Sequence, residues 1–160
     1  MHFPAIKTIL LATLMFQNVA AAVNIEDTVV KMPLAEGVSI DDAVDSMKLR
    51  ANAHNIKLVA ELPLSKQIEA MGKKSQHIAI YQFCDPLIAQ HMVEANIHFA
   101  AYLPCRIAIV EDAQHKVWLL MMNLDMILQG ASLSEELKVQ ATKVRDTLND
   151  IMRAGAAGDL

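Results

Sequence analysis

The chain contains two cysteines, Cys84 and Cys105, and each stands where a predicted strand meets a turn. Cys84 comes directly before an Asp-Pro step at 85–86, and Cys105 directly follows a Leu-Pro step at 103–104. In an oxidising compartment a pair of thiols can form a disulfide, act as a reactive pair, or bind a soft metal or haem. The residues alone leave these three interpretations open.

An even cysteine count in an exported protein favours a disulfide between Cys84 and Cys105. Closing that loop of about 20 residues would stabilise the fold by roughly 3 kcal/mol. In the reactive alternative, Cys84 is a nucleophile or carries a sulfur species, and Cys105 resolves it. The helix start after Cys84 favours a thiolate, and Arg106 could add positive charge, whereas the charge of Asp85 acts against a thiolate. The candidates for thiol chemistry are therefore Cys84, Cys105 and Arg106.

The third interpretation is a soft-metal or haem site that includes both cysteines. The sequence contains no C-x-x-C, C-x-x-C-H or H-x-x-x-H spacing, so its motifs give this site little support. We therefore expect no cofactor. The residues that could complete such a site are His91, Met92, Met121 and Met126.

Residues 1–22 have the pattern of a secretory signal peptide. Lys7 supplies the positive charge, residues 9–16 are apolar, and the small residues up to Ala22 fit the A-x-A cleavage pattern. The apolar run is shorter than the about 20 residues that a membrane-spanning helix needs. We expect cleavage after Ala22, which would leave Val23 as the first residue of a periplasmic or secreted protein without a membrane span.

Composition narrows the possible functions of the mature chain. Removal of Lys7 with the signal peptide changes the net charge from −4 to −5, and this acidic balance argues against nucleic acid and anionic lipid as partners. Aromatic residues make up 4% of the chain, which is too few for a stacking platform. G-x-S-x-G, H-E-x-x-H and glycine-rich phosphate loops are absent from the sequence, so an enzyme is the less favoured class.

The mature sequence alternates strand and helix patterns over one domain, 23–153, followed by a flexible tail at 154–160. The order β-α-β-β-α-β-β-α, with a further short helix between Ser65 and Gly72, predicts an α+β fold with a single, largely antiparallel sheet and helices packed on one face. A Ser132–Glu135 capping box should begin the last helix, and Gly155 should end it. The predicted strands are 28–34, 56–62, 77–83, 105–110 and 116–122, and the longer helices are 40–54, 87–94 and 133–153.

Strand alternation predicts where the two thiols point. In the second strand Ile56, Leu58, Ala60 and Leu62 should face inward. In the third strand Cys84 shares a face with Ile78 and Ile80, and in the fourth Cys105 shares a face with Ile107 and Ile109. If these isoleucine faces meet the helices, both sulfurs point towards one helical layer.

The motifs resemble those of domain-of-unknown-function family 302, over residues 28–126. The similar segments are GVS at 37–39, the strand at 57–62, AYLPCRIA at 101–108, ED at 111–112, VW at 117–118 and NLD at 123–125. The final helix resembles an extension of exported proteobacterial members. Cys84 departs from the family pattern, because a glycine-like turn usually precedes the Asp-Pro step. The cysteine pair in the Leu-Pro-Cys-Arg context is therefore interpreted as a subgroup feature.

The resemblance implies a small α+β domain that pairs as a homodimer and has no established activity. Pairing could use a sheet edge or a helix face, since a sheet of few strands leaves its edges exposed. Our leading interpretation is an exported accessory domain that binds a small ligand or a periplasmic partner protein. Thiol-based redox or sulfur-carrier activity and soft-metal or haem binding are the alternatives.

Overall fold

The computed structural model describes residues 24–159, so the predicted signal peptide lies outside the described residues. One five-stranded sheet, with all neighbouring strands antiparallel, has the order β1-β5-β4-β3-β2. Its strands are β1 Val29–Pro33, β2 Lys57–Leu62, β3 Ile78–Cys84, β4 Cys105–Glu111 and β5 Val117–Met122. The helices are α1 Ile40–Ala53, α2 Leu64–Ala70, α3 Pro86–Ala95, α4 Leu124–Gly130 and α5 Glu135–Ala157, with 3-10 turns at Ile25–Thr28 and Ile97–Tyr102. The predicted α+β class and antiparallel sheet are confirmed.

Local capping explains where the helices begin. Ser39 and Asp42 form a capping box at the start of α1. Asp85 accepts hydrogen bonds from two backbone N–H groups in the first turn of α3, and Pro86 occupies a position where its missing N–H costs nothing. The predicted cap of the last helix is wrong by two residues, because Ser134 rather than Ser132 accepts the hydrogen bond that starts α5.

The main hydrophobic core lies between one face of the sheet and the two long helices, α1 and α5. Ile107, Ile109 and Leu119 are fully buried on the sheet side. An apolar face of α5 packs onto them through Leu148 and Ile151. The opposite face of the sheet, which we call the open face, has no fully buried residue.

The expected face of the third strand is wrong. Tyr81 pairs with Ile107 across β3 and β4, and cross-strand partners share a face of the sheet. The core face of β3 is therefore Ala79, Tyr81 and Phe83, while Ile78 and Ile80 lie on the open face. A bulky isoleucine tolerates a half-buried position, so hydrophobicity alone did not identify the core face.

The prediction that all alternate residues of β2 face inward is also wrong. The register shifts between Leu58 and Ala60, where a bulge adds one residue to the strand. Because one extra residue reverses every later side chain, Ala60 and Leu62 share the open face with their partners in β3, and Leu62 is 37% exposed. The inward prediction holds for Ile56 and Leu58.

The last helix is longer than predicted. Residues 154–157 continue α5, so the expected tail from residue 154 is wrong for these positions. Gly155 does not end the helix, because it lies buried against α1 and β5. Gly158 ends it with φ +70°, a left-handed conformation that glycine adopts without strain.

The two edges of the sheet carry features that hinder pairing with another strand. Pro33 and Lys31 lie on the β1 edge, and the bulge and Lys57 lie on the β2 edge. The expectation of dimerisation through a sheet edge gains no support from them. Between residues 24 and 159, no helix is both long enough and apolar enough to cross a bilayer.

Candidate functional site

The two cysteines meet at the end of the sheet where β3 leaves for α3 and where β4 begins. Phe83 pairs with Cys105 across these strands, so Cys84 is the diagonal neighbour of Cys105. By strand alternation Cys105 belongs to the core face and Cys84 to the open face, which corrects the expectation of one shared helical layer. The two residues nevertheless lie close together, because Cys84 follows the cross-strand partner of Cys105 and both residues line one cavity.

Both cysteines line a cavity of about 80 Å³ between the end of the sheet and helices α3, α4 and α5. Thirteen of its 17 lining residues are apolar, and the four polar ones are Cys84, Asp85, Tyr102 and Cys105. We call this space the thiol cavity. Its apolar lining comes from Ile56, Phe83, Ile88, Ala89, Met92, Phe99, Leu103, Leu124, Ile127, Leu128, Ala141, Val144 and Leu148.

A second hydrophobic cluster forms part of the cavity wall. Met92 of α3, Phe99 of the following 3-10 turn and Ala141 of α5 are buried in this cluster and also line the cavity. α4 packs against the same cluster, and an ion pair between Asp125 and Arg145 joins α4 to α5. The cavity therefore depends on elements that are more than 40 residues apart in sequence.

Helix α4 and its contribution to the cavity were not predicted from the sequence. The signal was present, because Asn123 caps the helix and accepts a hydrogen bond from the N–H of Asp125. Leu124, Ile127 and Leu128 then follow with the spacing of one helical face. The helix has only seven residues, which is too short for periodicity to stand out from a strand end.

Both thiols resist deprotonation. Burial raises the pKa of Cys105 to about 11, with a further contribution from a nearby negative charge on Cys84. Burial also raises the pKa of Cys84, and the carboxylate of Asp85 raises it further. Arg106 lowers the pKa of Cys105, but this effect is smaller than that of burial. At neutral pH both residues are therefore protonated thiols, and the structure contains them as free cysteines.

Arg106 lies away from the thiol of Cys105. It pairs with Gln82 across β3 and β4, and it is exposed on the open face of the sheet. Successive residues of a strand point to opposite faces, so the side chains of Cys105 and Arg106 separate at the start of β4. The three candidates for thiol chemistry thus occupy one end of the sheet without sharing one face.

The structure separates the soft-metal candidates. Met92 lines the thiol cavity with both cysteines, whereas His91 is exposed and lies 3.4 Å from the side-chain oxygen of Gln140. Met121 is buried in the main core, and Met126 is 43% exposed. Within the described part of the chain, no three His, Cys, Asp or Glu side chains are grouped so that they could hold a metal ion.

A single antiparallel sheet with two long helices on one face and an apolar cavity at one end defines a small one-sheet α+β domain. The chain belongs to the family described as domain of unknown function DUF302, whose model matches residues 30–155. The resemblance to this family is therefore confirmed. Membership of an exported proteobacterial subgroup, marked by the Leu-Pro-Cys-Arg motif, stays a prediction.

A solved structure supports the same fold. The crystal structure of an uncharacterized conserved DUF302 protein from Bacillus stearothermophilus is similar, with a TM-score of 0.66 and 12% sequence identity. The similarity covers 79% of this chain and 97% of that chain. No curated protein matches the sequence.

Proposed function

We propose that the mature chain is an exported, non-enzymatic domain that binds a small, uncharged, apolar molecule in the thiol cavity. The observation that carries this proposal is the cavity itself, with 13 apolar residues among the 17 that line it. Ligand sites in proteins are commonly apolar spaces with a few polar groups that orient the ligand. Here Tyr102 and the two neutral thiols would supply those groups.

The state of the thiols favours ligand binding over the two alternatives. A nucleophilic or metal-binding cysteine acts as a thiolate. Burial raises the pKa of both Cys84 and Cys105, so the thiolate is a minor species at neutral pH. Asp85 adds a negative charge beside Cys84, which opposes a thiolate further. An environment of this kind suits a neutral pocket wall better than a redox centre.

The cavity volume limits the size of the ligand. A cavity of about 150 Å³ with an apolar lining takes benzene or xenon. The thiol cavity has about half of that volume. We therefore expect xenon or a molecule of a few heavy atoms to fit, and benzene to bind more weakly because the walls must move.

Titration of the mature chain with xenon, monitored through amide NMR spectra, tests the proposal. Xenon should shift the amide signals of residues around the cavity, and Ala141→Leu should abolish these shifts by filling the space from α5. Ala113→Leu is the matched control, because Ala113 is exposed in the β4–β5 loop. Shifts that persist in Ala141→Leu, or that fall outside the cavity lining, would contradict ligand binding at this site.

Export and dimerisation are proposals with separate measurements. Intact mass of protein recovered from the periplasm or medium should correspond to a chain that begins at Val23, and a chain that retains residues 1–22 would contradict signal cleavage.

The homodimer stays a prediction, which sedimentation velocity of the mature chain tests. A disulfide between Cys84 and Cys105 is the competing prediction for the state of the two thiols. Labelling of the denatured, unreduced protein tests it, because a disulfide would leave both residues unlabelled.

A further inference from the structure

A second concave surface lies on the open face of the sheet. It adjoins the thiol cavity, because Tyr102, Cys105, Leu124 and Ile127 line both spaces. Its floor consists of half-buried apolar residues from four strands, including Ile80, Ala108 and Leu120. Met126 and Ile127 of α4 also line it. Its volume is about 520 Å³, which lies within the range of small-molecule sites. We call this surface the open-face groove.

The groove contains one ionised side chain, Arg106. None of the other 13 lining residues carries a charge at neutral pH. Among residues 24–159, Arg106 takes part in no salt bridge. The polar groups of Asn123 are already occupied, since its amide donates to the Asp27 carbonyl and its oxygen accepts from the Asp125 N–H. In an acidic chain, an unpaired guanidinium therefore stands beside a groove whose other lining residues are uncharged and mostly apolar.

We propose that the open-face groove binds a monomeric anionic amphiphile, namely a medium-chain carboxylate. The alkyl chain lies over Ile80, Ala108 and Leu120, and the carboxylate receives hydrogen bonds from the Arg106 guanidinium. A planar guanidinium presents paired N–H donors that match the two oxygens of a carboxylate. The residues that contact this ligand, Arg106, Ile80, Ala108 and Leu120, do not line the thiol cavity. The two proposals also concern different ligand classes, so each can fail without the other.

Charge makes a second copy of the chain the less suitable occupant. The open face also carries the exposed cations Lys31 and Lys57. Face-to-face pairing of two copies would bring like charges together around the apolar centre. An anionic ligand neutralises Arg106 instead of duplicating it.

Calorimetric titration of the mature chain with decanoate, below its micelle concentration, tests the proposal. Decanoate should bind more tightly than octanoate, by up to about fourfold for each added CH2 group. Decyltrimethylammonium has the same chain and the opposite charge, so its binding should be at least about tenfold weaker. Equal binding of the two decyl compounds would overturn the role of Arg106.

Two pairs of variants locate the site. Arg106→Gln should weaken decanoate binding about tenfold, because it removes a charge-assisted contact. Lys57→Gln is its control: it removes an exposed cation of the same face outside the groove, so it should change binding less than twofold. Ala108→Phe should block the groove floor, and Val110→Phe, on the same strand and face but outside the groove, should not.

Equal effects within either pair would overturn the proposed site. Two other results would do the same. In one, the chain floats with phosphatidylglycerol vesicles but does not bind monomeric decanoate. In the other, the chain does not bind decanoate but self-associates, and Ala108→Phe disrupts this self-association.

Discussion

The close packing of Gly155 predicts that even one added methyl group destabilises the protein. Gly155 lies inside α5 at the point where this helix crosses α1 and β5. A Cβ atom placed there would lie 2.5 Å from Cγ of Met47, 3.1 Å from Cδ2 of Leu119 and 3.2 Å from the carbonyl oxygen of Ala43. All three neighbours are fully buried, so the free space around them is small.

Two opposing effects set the magnitude for Gly155→Ala. Alanine favours a helix over glycine by about 1 kcal/mol. Overpacking a filled core costs typically 1–3 kcal/mol, and the upper half applies here because one of the close atoms belongs to the backbone. We therefore expect the free energy of unfolding to fall by about 1–2 kcal/mol.

Urea unfolding of the mature chain measures this difference, and Gly130→Ala is the matched control. Gly130 is also helical, at the end of α4, but a Cβ there would meet nothing within 4 Å. Gly130→Ala should leave the stability unchanged or raise it by up to about 1 kcal/mol. The opposite signs of the two substitutions separate packing from helix propensity.

A double variant tests the identity of the clash. In a Met47→Ala background, the methyl group at residue 155 enters vacated space, so its cost should be smaller than in the wild type. The reasoning would be refuted if Gly155→Ala were as stable as the wild type, or if Met47→Ala left its cost unchanged.

Two further predictions concern charge and thiol reactivity. Hydrogen bonds from His54 and Arg50 lower the pKa of Asp150 on α5 to about 2. The stabilising effect of Asp150 is therefore present above about pH 4 and is lost as the pH falls towards 2. Asp150→Asn should remove this part of the acid dependence in unfolding experiments, whereas Asp45→Asn, at an exposed position, should retain it. In the reduced protein, iodoacetamide should label Cys84 faster than Cys105, because Cys105 is more deeply buried and its pKa is about 11. Asp85→Asn keeps a helix cap but removes the charge that raises the pKa of Cys84, so labelling should accelerate at Cys84 alone; an unchanged rate would contradict the electrostatic effect of Asp85.

Features that depend on a few consecutive residues were predictable from the sequence. The Asp85-Pro86 start of α3 was identified correctly. Gly72 follows α2 with φ +76°, as a glycine that ends a helix does. The Gly155 prediction failed because a glycine inside a helix and a glycine after it look alike in sequence, and contacts with α1 and β5 distinguish them.

Strand faces were less predictable than strand positions. The five strands lie within a few residues of their predicted bounds. The buried face of β3 was reversed, because Tyr81 and Phe83 rather than the isoleucines pair with the core face of β4. In β2 the bulge after Leu58 changed which side chains point inward. The alternation of apolar residues in the sequence continues through the bulge, so the sequence did not reveal it.

The sequence by itself determined the α+β class, the starts of α1 and α3 and the position of each cysteine at a strand end, because caps, alternation and turn residues act over short distances. Only the tertiary structure decided that Cys84 and Cys105 line one apolar cavity. It also decided that Arg106 faces the open side of the sheet. The high pKa of Cys105 arises from burial against α3, α4 and α5, which contribute residues far apart in the chain. Such an environment exists only after these elements pack together.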